Sequence, residues 1–370
     1  MKKNQKPETR NQRGKDREQK KILLSGNEAI ALGAIDAGCD FYAGYPITPQ
    51  NELIAYMAKH MPEARRVFIQ SESELAAINM VFGASATGAR AITSSSSPGI
   101  SLMQEGISYI AGAELPAVIV NVMRAGPGLG NIWPAQSDYF QATKGGGHGD
   151  YRCIVLAPST VQESYDLTSL AFDLADKYRM PAIILSDGML GQMMEPFVAN
   201  SKSQIANRGR KLKPWALTGC KGRKPNIVKS FYLKMGDLEE FNLRLQEKYR
   251  KIQPGEQRQE EFYLDDAEII LVAYGMMARV AKGAMNILRE KGKKIGLIRP
   301  ITLWPFPEEI FRRITHNARR ITFLTIEMSY GQMVEDVKLA TAGRSRVEFL
   351  GRSGGGIPTE EEIIRKIQLL

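Results

Sequence analysis

The sequence has few residues of the kinds that form disulfides or bind transition metals. Its 370 residues include three cysteines, with no C-x-x-C spacing, and three histidines, which are widely separated: Cys39, Cys153, Cys220, His60, His148 and His316. So few scattered thiols exclude a disulfide framework and cannot supply the four ligands of an iron–sulfur cluster. The histidine spacing argues against zinc. We expect no metal bound by this chain alone and a reducing, cytoplasmic environment.

Long apolar runs and familiar phosphate-binding motifs are also lacking. No stretch of about 18 apolar residues occurs, and no apolar region follows the basic N-terminus, so neither a membrane helix nor a signal peptide is expected. The sequence contains no G-x-x-x-x-G-K-[ST] motif, and the glycines of residues 126–130 lack the G-x-G-x-x-G spacing. Nucleotide-binding folds of those two kinds are therefore not indicated.

The net charge of +10 is confined to two segments. Residues 1–21 carry nine Lys or Arg and three acidic residues, and residues 201–258 carry fifteen basic and five acidic residues. The remainder is mildly acidic, so nucleic acid is an unlikely partner. We interpret residues 1–21 as a disordered tail and residues 196–262 as a basic linker, which could face an acidic partner surface.

Alternating strand-like and helical patterns predict two α/β domains, at 22–195 and 263–370. In the first, the strands are predicted at 41–43, 66–70, 89–93, 116–122, 153–156 and 181–185, with helices at 27–37, 72–86 and 160–178. Repeated βα units of this length predict a doubly wound parallel sheet. The second domain is a smaller α/β unit, with strands at 268–273, 294–298, 321–326 and 346–350.

Ligands of open α/β sheets bind beyond the carboxyl ends of the strands, and four such ends are unusual here. They are followed by the hydroxyl of Thr48 in a proline-stiffened loop, by Glu72 and Glu74, by the serine run 94–97, and by Arg124. Each has an ordinary explanation: helix capping for Thr48 and the serines, the helix dipole for the glutamates, and a surface ion pair for Arg124. Their occurrence at successive strand ends favours a binding site.

These residues form motifs that resemble the alpha subunit of the 2-oxoacid:ferredoxin oxidoreductases, closest to the branched-chain type. The resemblance covers residues 22–195 and 262–370. It rests on the segments 44–49 (GYPITP), 74–77 (ELAA), 83–84 (GA), 97–99 (SPG), Arg124, 274–275 (YG), 299–307 (RPITLWPFP) and 327–333 (EMSYGQM). It implies a pyrimidine-binding domain for thiamine diphosphate, followed by a transketolase C-terminal-like domain.

The resemblance also implies roles for individual residues. Glu74, nine residues before Gly83, matches the glutamate that bonds N1′ of the aminopyrimidine; Thr48 and Arg124 match the residues that contact the 2-oxo acid and bind its carboxylate. Further cofactor contacts are implied for Tyr45, Pro46, Ile47, Ser97 and Gly99. The reaction implied is oxidative decarboxylation with reduction of ferredoxin and transfer of the acyl group to coenzyme A.

Such an enzyme needs partners, because this chain lacks the Gly-Asp-Gly…Asn segment that holds the diphosphate and Mg²⁺. The resemblance implies a hetero-oligomer in which a beta subunit carries that segment and shares the thiamine diphosphate. The 4Fe–4S clusters are then expected in partner subunits, among them a gamma or ferredoxin-like subunit.

The substrate is predicted from the segment after Arg124. Residues 134–150 resemble the branched-chain type, which acts on 3-methyl-2-oxobutanoate, and Leu129, Ile132, Trp133 and His148 are candidates for the substrate pocket. A 2-oxoglutarate enzyme needs a second cation for the distal carboxylate, which Lys144 or a partner could supply. Two alternatives thus stay open: a 2-oxoglutarate enzyme, and a non-catalytic polyanion-binding protein on the same fold.

Overall fold

The computed structural model of the protein describes residues 21–198, 213–316 and 321–370. The predicted basic tail, apart from Lys21, and residues 199–212 of the predicted linker lie outside these ranges. Within them, no helix combines the length and apolar character needed to cross a membrane.

The larger sheet has seven strands in the order β12-β6-β7-β5-β4-β2-β3. Its strands are β2 (Phe41–Gly44), β3 (Val67–Gln70), β4 (Ala91–Ser95), β5 (Ala117–Met123), β6 (Ile154–Leu156), β7 (Pro181–Asp187) and β12 (Thr302–Trp304). All pair in parallel except β12, which is antiparallel to β6. The six strands predicted for the first domain are confirmed. Every residue of β5 and β7 is buried, as the continuous apolar runs of central parallel strands require.

Eight helices and a small strand pair surround this sheet in the described residues. The helices are α1 (Gly26–Asp36), α2 (Asn51–Glu63), α3 (Glu74–Ala86), α4 (Ser97–Gly112), α5 (Tyr139–Thr143), α6 (Val161–Tyr178), α7 (Gly188–Gln192) and α8 (Asp237–Gly255), and β1 (Ile22–Ser25) pairs with β8 (Met194–Phe197). Helix α1 packs against α2 and α6, whereas α3 packs against α4. Ser25 and Glu28 form a capping box that starts α1.

The direction of chain travel reverses between β2 and β4. From β2 the chain passes to β3 at one edge, then returns across β2 to β4, β5 and beyond. This is the switch point at which an open parallel sheet leaves a crevice outside the strand ends. Thr48 follows β2, Glu74 follows β3, and the serine run spans the end of β4 and the start of α4. Three of the four predicted segments therefore meet there.

The smaller sheet has five strands in the order β14-β13-β10-β11-β9. Its elements are β9 (Gln259–Phe262), β10 (Ile269–Val272), α9 (Gly275–Glu290), β11 (Ile295–Pro300), α10 (Glu308–Thr315), β13 (Thr322–Glu327), α11 (Met333–Thr341), β14 (Arg346–Gly351) and α12 (Glu360–Gln368). Four strands are parallel, and β9 runs antiparallel to β11.

The two sheets exchange strands, unlike the division expected from the sequence. Strand β9 falls in the predicted linker yet completes the smaller sheet, and β12 falls in the predicted second domain yet edges the larger one. Helix α8, also in the linker, buries Phe241, Leu245 and Tyr249 along one stripe. These elements are short or amphipathic, so their partners were decided by distant packing surfaces rather than by local pattern.

Several polar contacts fix the domains against each other. Gln136 Nε2 donates to the carbonyl of Tyr274 (3.0 Å), and its Oε1 accepts from the amide of Met328 (3.1 Å). Arg299, buried at the junction, pairs with Glu163 at 2.6 Å. A loop that leaves the strand ends of the first domain is therefore held in place by the second.

Candidate functional site

Glu74 is the first residue of α3, directly beyond the end of β3. The side chain of Ser73 caps the helix by accepting from the amide of Ala76, so Glu74 lies in the first turn, where a carboxylate is favoured. Glu74 is only 5% exposed, and its Oε1 accepts one hydrogen bond from Ser95 Oγ at 3.3 Å. Within the described ranges no Lys, Arg or His pairs with it. The carboxylate therefore keeps acceptor capacity for a ligand.

Gly99 lies against this carboxylate, in the first turn of α4. A Cβ built on Gly99 would overlap both Oε1 of Glu74 and Oγ of Ser95. Glycine is thus required here, because the Glu74 carboxylate packs directly against the main chain of residue 99. Gly99 and Glu74, both predicted site residues, are brought together by the structure.

Arg124 follows β5 and is buried, at 7% exposed. Its Nη1 donates to the carbonyl of Thr48 (3.0 Å) and its Nη2 to the carbonyl of Leu129 (3.1 Å), while Nε is buried without a partner. No carboxylate pairs with it among the described residues, so the ordinary explanation of a surface ion pair is wrong. A buried guanidinium without an anion is costly, and this one is suited to bind an anionic ligand.

The loop between β2 and α2 holds Thr48 next to Arg124. Asn27 Nδ2 donates to the carbonyl of Pro49 (2.8 Å), and Gln50 Nε2 donates to the carbonyl of Tyr45 (3.2 Å). The hydroxyl of Thr48 accepts from Asn51 Nδ2 and makes no cap to the backbone of α2. Of the predicted cofactor contacts in this loop, Tyr45 and Pro46 are exposed and Ile47 is half-buried.

Ser97, for which a cofactor contact is predicted, is hydrogen-bonded within this chain. Its hydroxyl donates to Asp138 Oδ2 (2.6 Å) and accepts from the amide of Arg124 (3.0 Å). Asn121 Nδ2 also donates to Asp138, at 2.8 Å. Burial raises the pKa of Asp138, although these two hydrogen bonds act in the opposite direction. Ser97 is therefore a positioning residue that fixes the backbone of Arg124.

Asp138 and Asn121 were not anticipated from the sequence. Asp138 follows Arg124 by fourteen positions in an irregular segment, so no spacing rule connects the two. Ser95 belonged to the predicted serine run. Its hydrogen bond to Glu74 depends on the strand order β4-β2-β3, which the sequence does not display.

The candidate pocket residues after Arg124 lie on an exposed loop. Leu129, Ile132 and Trp133 are all exposed. Asn131 Nδ2 donates to the carbonyl of Gly354 (3.0 Å), and a Cβ on Gly355 would lie 2.6 Å from Cβ of Trp133. The second domain thus supports this loop, and the loop supports Arg124 through the carbonyl of Leu129.

His148 is not brought to the strand ends, contrary to expectation. Its ring meets Tyr109 edge-on, with centroids 6.2 Å apart. Tyr109 lies twelve residues after Ser97 in α4, about 18 Å along the helix axis at about 1.5 Å per residue. The glycine-rich loop that carries His148 has no pattern from which this position could be predicted. His148 therefore lies beside α4 and not at a strand end.

Comparison with known proteins places this site in a class. Residues 32–226 match the family model described as pyruvate flavodoxin/ferredoxin oxidoreductase, thiamine diphosphate-binding. Residues 267–363 match pyruvate:ferredoxin oxidoreductase core domain II. The two matched ranges therefore define the chain as a member of the thiamine-diphosphate-binding pyruvate:ferredoxin oxidoreductases.

Individual relatives are similar along most of the chain. It is 53% identical to ketoisovalerate oxidoreductase subunit VorB of Methanothermobacter marburgensis, over 94% of this chain and 97% of that protein. It is 41% identical to 2-oxoglutarate synthase subunit KorA of Archaeoglobus fulgidus, over 89% and 94%. The chain belongs to the family of 2-oxoacid:ferredoxin oxidoreductase subunits.

A solved structure agrees with this assignment. The 2-oxoglutarate:ferredoxin oxidoreductase from Magnetococcus marinus, with 2-oxoglutarate, coenzyme A and succinyl-CoA bound, superposes with a TM-score of 0.85 at 28% identity. The match covers 94% of this chain and 65% of that one, so this chain spans about two thirds of its solved relative. The expected α/β fold of this family is confirmed.

Proposed function

We propose that this chain is the pyrimidine-binding subunit of a thiamine-diphosphate-dependent enzyme that oxidatively decarboxylates 3-methyl-2-oxobutanoate, reduces ferredoxin and forms the acyl-CoA. The observation that carries the proposal is the presence, beyond the carboxyl ends of one sheet, of two buried charged groups: the Glu74 carboxylate and the Arg124 guanidinium. Among the described residues, neither group has a partner of opposite charge. One supplies an acceptor for a ring nitrogen, and the other supplies a cation for a carboxylate.

The residues around Glu74 fit the aminopyrimidine of thiamine diphosphate. The carboxylate is buried against the main chain of Gly99 and accepts a single hydrogen bond, and burial strengthens a further hydrogen bond to it. When bound, thiamine diphosphate supplies a carbon nucleophile and an electron sink for decarboxylation. Glu74 would share a proton with the ring nitrogen N1′ and would thereby set the proton affinity of the 4′-amino group, which lies across the ring from N1′.

Arg124 and Thr48 then bind the 2-oxo acid. Two carbonyls fix the guanidinium, so its orientation is set before substrate arrives. Its remaining donors bind the substrate carboxylate, and the Thr48 hydroxyl, half-buried beside it, orients the 2-oxo group.

A branched-chain substrate is favoured over 2-oxoglutarate. The ketoisovalerate relative is 53% identical to this chain and the 2-oxoglutarate relative 41%. Leu129, Ile132 and Trp133 offer apolar surface beside Arg124, suited to an isopropyl group. Lys144, the candidate second cation, pairs instead with Asp336 of the second domain. The one cation of this chain proposed for a distal carboxylate is thus already paired.

The rest of the enzyme is assigned to other polypeptides. In the described ranges, no cluster of three His, Cys, Asp or Glu residues could hold a metal ion. We assign the diphosphate and Mg²⁺ to a beta subunit, and the 4Fe–4S clusters to that subunit or to a gamma or ferredoxin-like one. We also propose that the hetero-oligomer works in the cytoplasm, with ferredoxin as electron acceptor.

The test is the substrate preference of the purified complex. With a viologen acceptor and coenzyme A, we expect turnover of 3-methyl-2-oxobutanoate to have a kcat/KM at least about tenfold above that of 2-oxoglutarate. The opposite order would establish the 2-oxoglutarate alternative. Absence of thiamine-dependent turnover with either acid would contradict the proposal as a whole.

A further inference from the structure

A segment without helix or strand, residues 213–236, crosses one end of the two helices that form the site; we call it the arm. The amide of Leu217 donates to the carbonyl of Ala86 at the end of α3 (2.9 Å). At the end of α4, a Cβ built on Gly112 would lie 3.2 Å from Cβ of Ser230. Because α3 begins at Glu74 and α4 carries Gly99, the arm is attached to the helices that build the site.

The arm presents apolar side chains to solvent in an alternating pattern. Val228 and Tyr232 turn inward and pack on the core. Between and beyond them, large apolar side chains point outward, with exposed fractions of 77%, 73%, 87% and 98% for Ile227, Phe231, Leu233 and Met235. Four such side chains within nine residues form an apolar strip of the kind that marks an interaction site.

The main chain of one part of the arm, residues 225–233, is also unpaired. Within the described part of the chain, residues 225–233 donate and accept no main-chain hydrogen bond, although their side chains alternate as in a strand. Exposed donors and acceptors on an extended segment are a template for strand addition. The arm therefore offers a partner both hydrogen bonds and an apolar strip.

Charge decides what kind of partner fits. The arm contains six Lys or Arg residues and no Asp or Glu. Of these, Lys213 pairs with Asp176, and Lys234 lies 3.9 Å from Asp237. A second copy of this chain would bring like charges together if it docked arm to arm, whereas an acidic surface would be attracted.

The exposed face of α3 and α4 connects the arm to the site. Leu75 and Met80 on α3, and Leu102 and Tyr109 on α4, are all exposed apolar side chains. A partner that covers Glu74 from this side would extend over these helices toward the arm.

We propose that the arm is a docking strand for the partner subunit that completes the thiamine site. That subunit would add an extended, acidic segment to residues 225–233 and cover the outward side chains of Phe231 and Leu233. The inference rests on the proposed function, because that function is what requires a second polypeptide over Glu74.

Hydrogen exchange tests the docking strand directly. In the isolated chain the amides of residues 225–233 should exchange rapidly, and in the purified complex they should be protected at least about 100-fold. A photoreactive residue at position 231 should form cross-links to the partner subunit that completes the thiamine site. Unprotected amides in the complex, or cross-links to a second copy of this chain, would overturn the inference.

A matched pair of variants gives a second readout. Leu233→Asp should weaken assembly with the partner subunits at least about tenfold, whereas Leu339→Asp, at another strongly exposed leucine on α11, should leave it unchanged. At saturating partner concentration, Leu233→Asp should retain its kcat. Assembly unaffected by Leu233→Asp would refute the docking strand and leave the proposed function standing. If instead the wild-type complex assembled but turned over no 2-oxo acid with thiamine diphosphate present, the proposed function would be refuted.

Discussion

Gly99 and Glu74 are in direct apposition: a Cβ on Gly99 would overlap the Oε1 atom of Glu74. The two residues come from different helices, α4 and α3. These helices follow β4 and β3, the two strands that flank β2 in the larger sheet. The position of the carboxylate therefore depends on the absence of a side chain at residue 99. This apposition gives the first prediction.

Gly99→Ala should displace the Glu74 carboxylate and lower kcat about 100-fold, since catalysis depends on its placement within about 1 Å. The control is Gly83→Ala, in α3 itself, where an added Cβ meets nothing within 4 Å. That variant should retain activity and gain about 0.5–1 kcal/mol in unfolding free energy. Steady-state kinetics of the assembled enzyme and thermal unfolding measure both effects. Equal kcat values for the two variants would show that catalysis does not depend on the present position of the Glu74 carboxylate.

Arg124→Ala should raise KM for the 2-oxo acid about 10- to 100-fold, because a charged hydrogen bond contributes about 1.5–3 kcal/mol. Thiamine diphosphate affinity should be unchanged. Arg152→Ala is the control, since Arg152 also donates to main-chain carbonyls, those of Lys144 and Tyr151, on another loop. Kinetics and isothermal titration with the cofactor distinguish the two binding steps. Loss of cofactor affinity with an unchanged KM would remove Arg124 from substrate binding.

Gly355→Ala should raise KM for the 2-oxo acid about tenfold, although residue 355 is in the second domain. The added methyl would press on Trp133, which shares its loop with the Leu129 carbonyl that holds Arg124. Gly354→Ala is a matched control: its φ of +68° carries a backbone strain like that of Gly355 at +93°, but its Cβ would meet nothing. The same KM in both variants would show that strain, rather than loop displacement, is responsible.

Glu256 makes the stability of the chain sensitive to acid. Burial alone would raise its pKa, but hydrogen bonds from Lys177, Tyr178 and Arg258 lower the pKa of Glu256 from 4.5 to about 2. A lowered pKa contributes stability that is complete above pH 4.5 and is lost as the pH falls toward 2. The contribution is about 3 kcal/mol at neutral pH.

Glu256→Gln should therefore lower the unfolding free energy at pH 7 by about 2–3 kcal/mol and flatten its dependence between pH 5 and 3. Urea unfolding at each pH gives the values. Glu247→Gln, on an exposed carboxylate of α8, serves as the control and should follow the wild type. A Glu256→Gln profile parallel to that of the wild type would show that the lowered pKa is absent.

Local pattern was sufficient for those parts of the fold whose burial is uniform. The run at 116–122 predicts a central parallel strand and the run at 181–185 a further strand, and the corresponding β5 and β7 are fully buried. The pattern was insufficient for α2, whose Asn51–Glu63 span was not predicted, and for β12, which is three residues long. Short elements of this kind are stabilised by contacts with distant segments, which a single sequence does not display.

The candidate site divides in the same way. The strand-end rule was enough to group Thr48, Glu74 and Arg124, because carboxyl ends of parallel strands meet at one edge. The rule says nothing about loops, so it gave no indication that Ser97 would serve Asp138 or that His148 would lie beside Tyr109. Those positions follow from long-range packing of irregular segments.

The activity of Glu74→Gln in the purified complex tests the central claim most directly. Glutamine keeps the shape of the side chain but cannot share a proton with a ring nitrogen. We expect kcat to fall at least about 100-fold with assembly intact, while Glu72→Gln, exposed two residues away, retains normal turnover. Near-normal turnover of Glu74→Gln, with thiamine still required, would contradict the account.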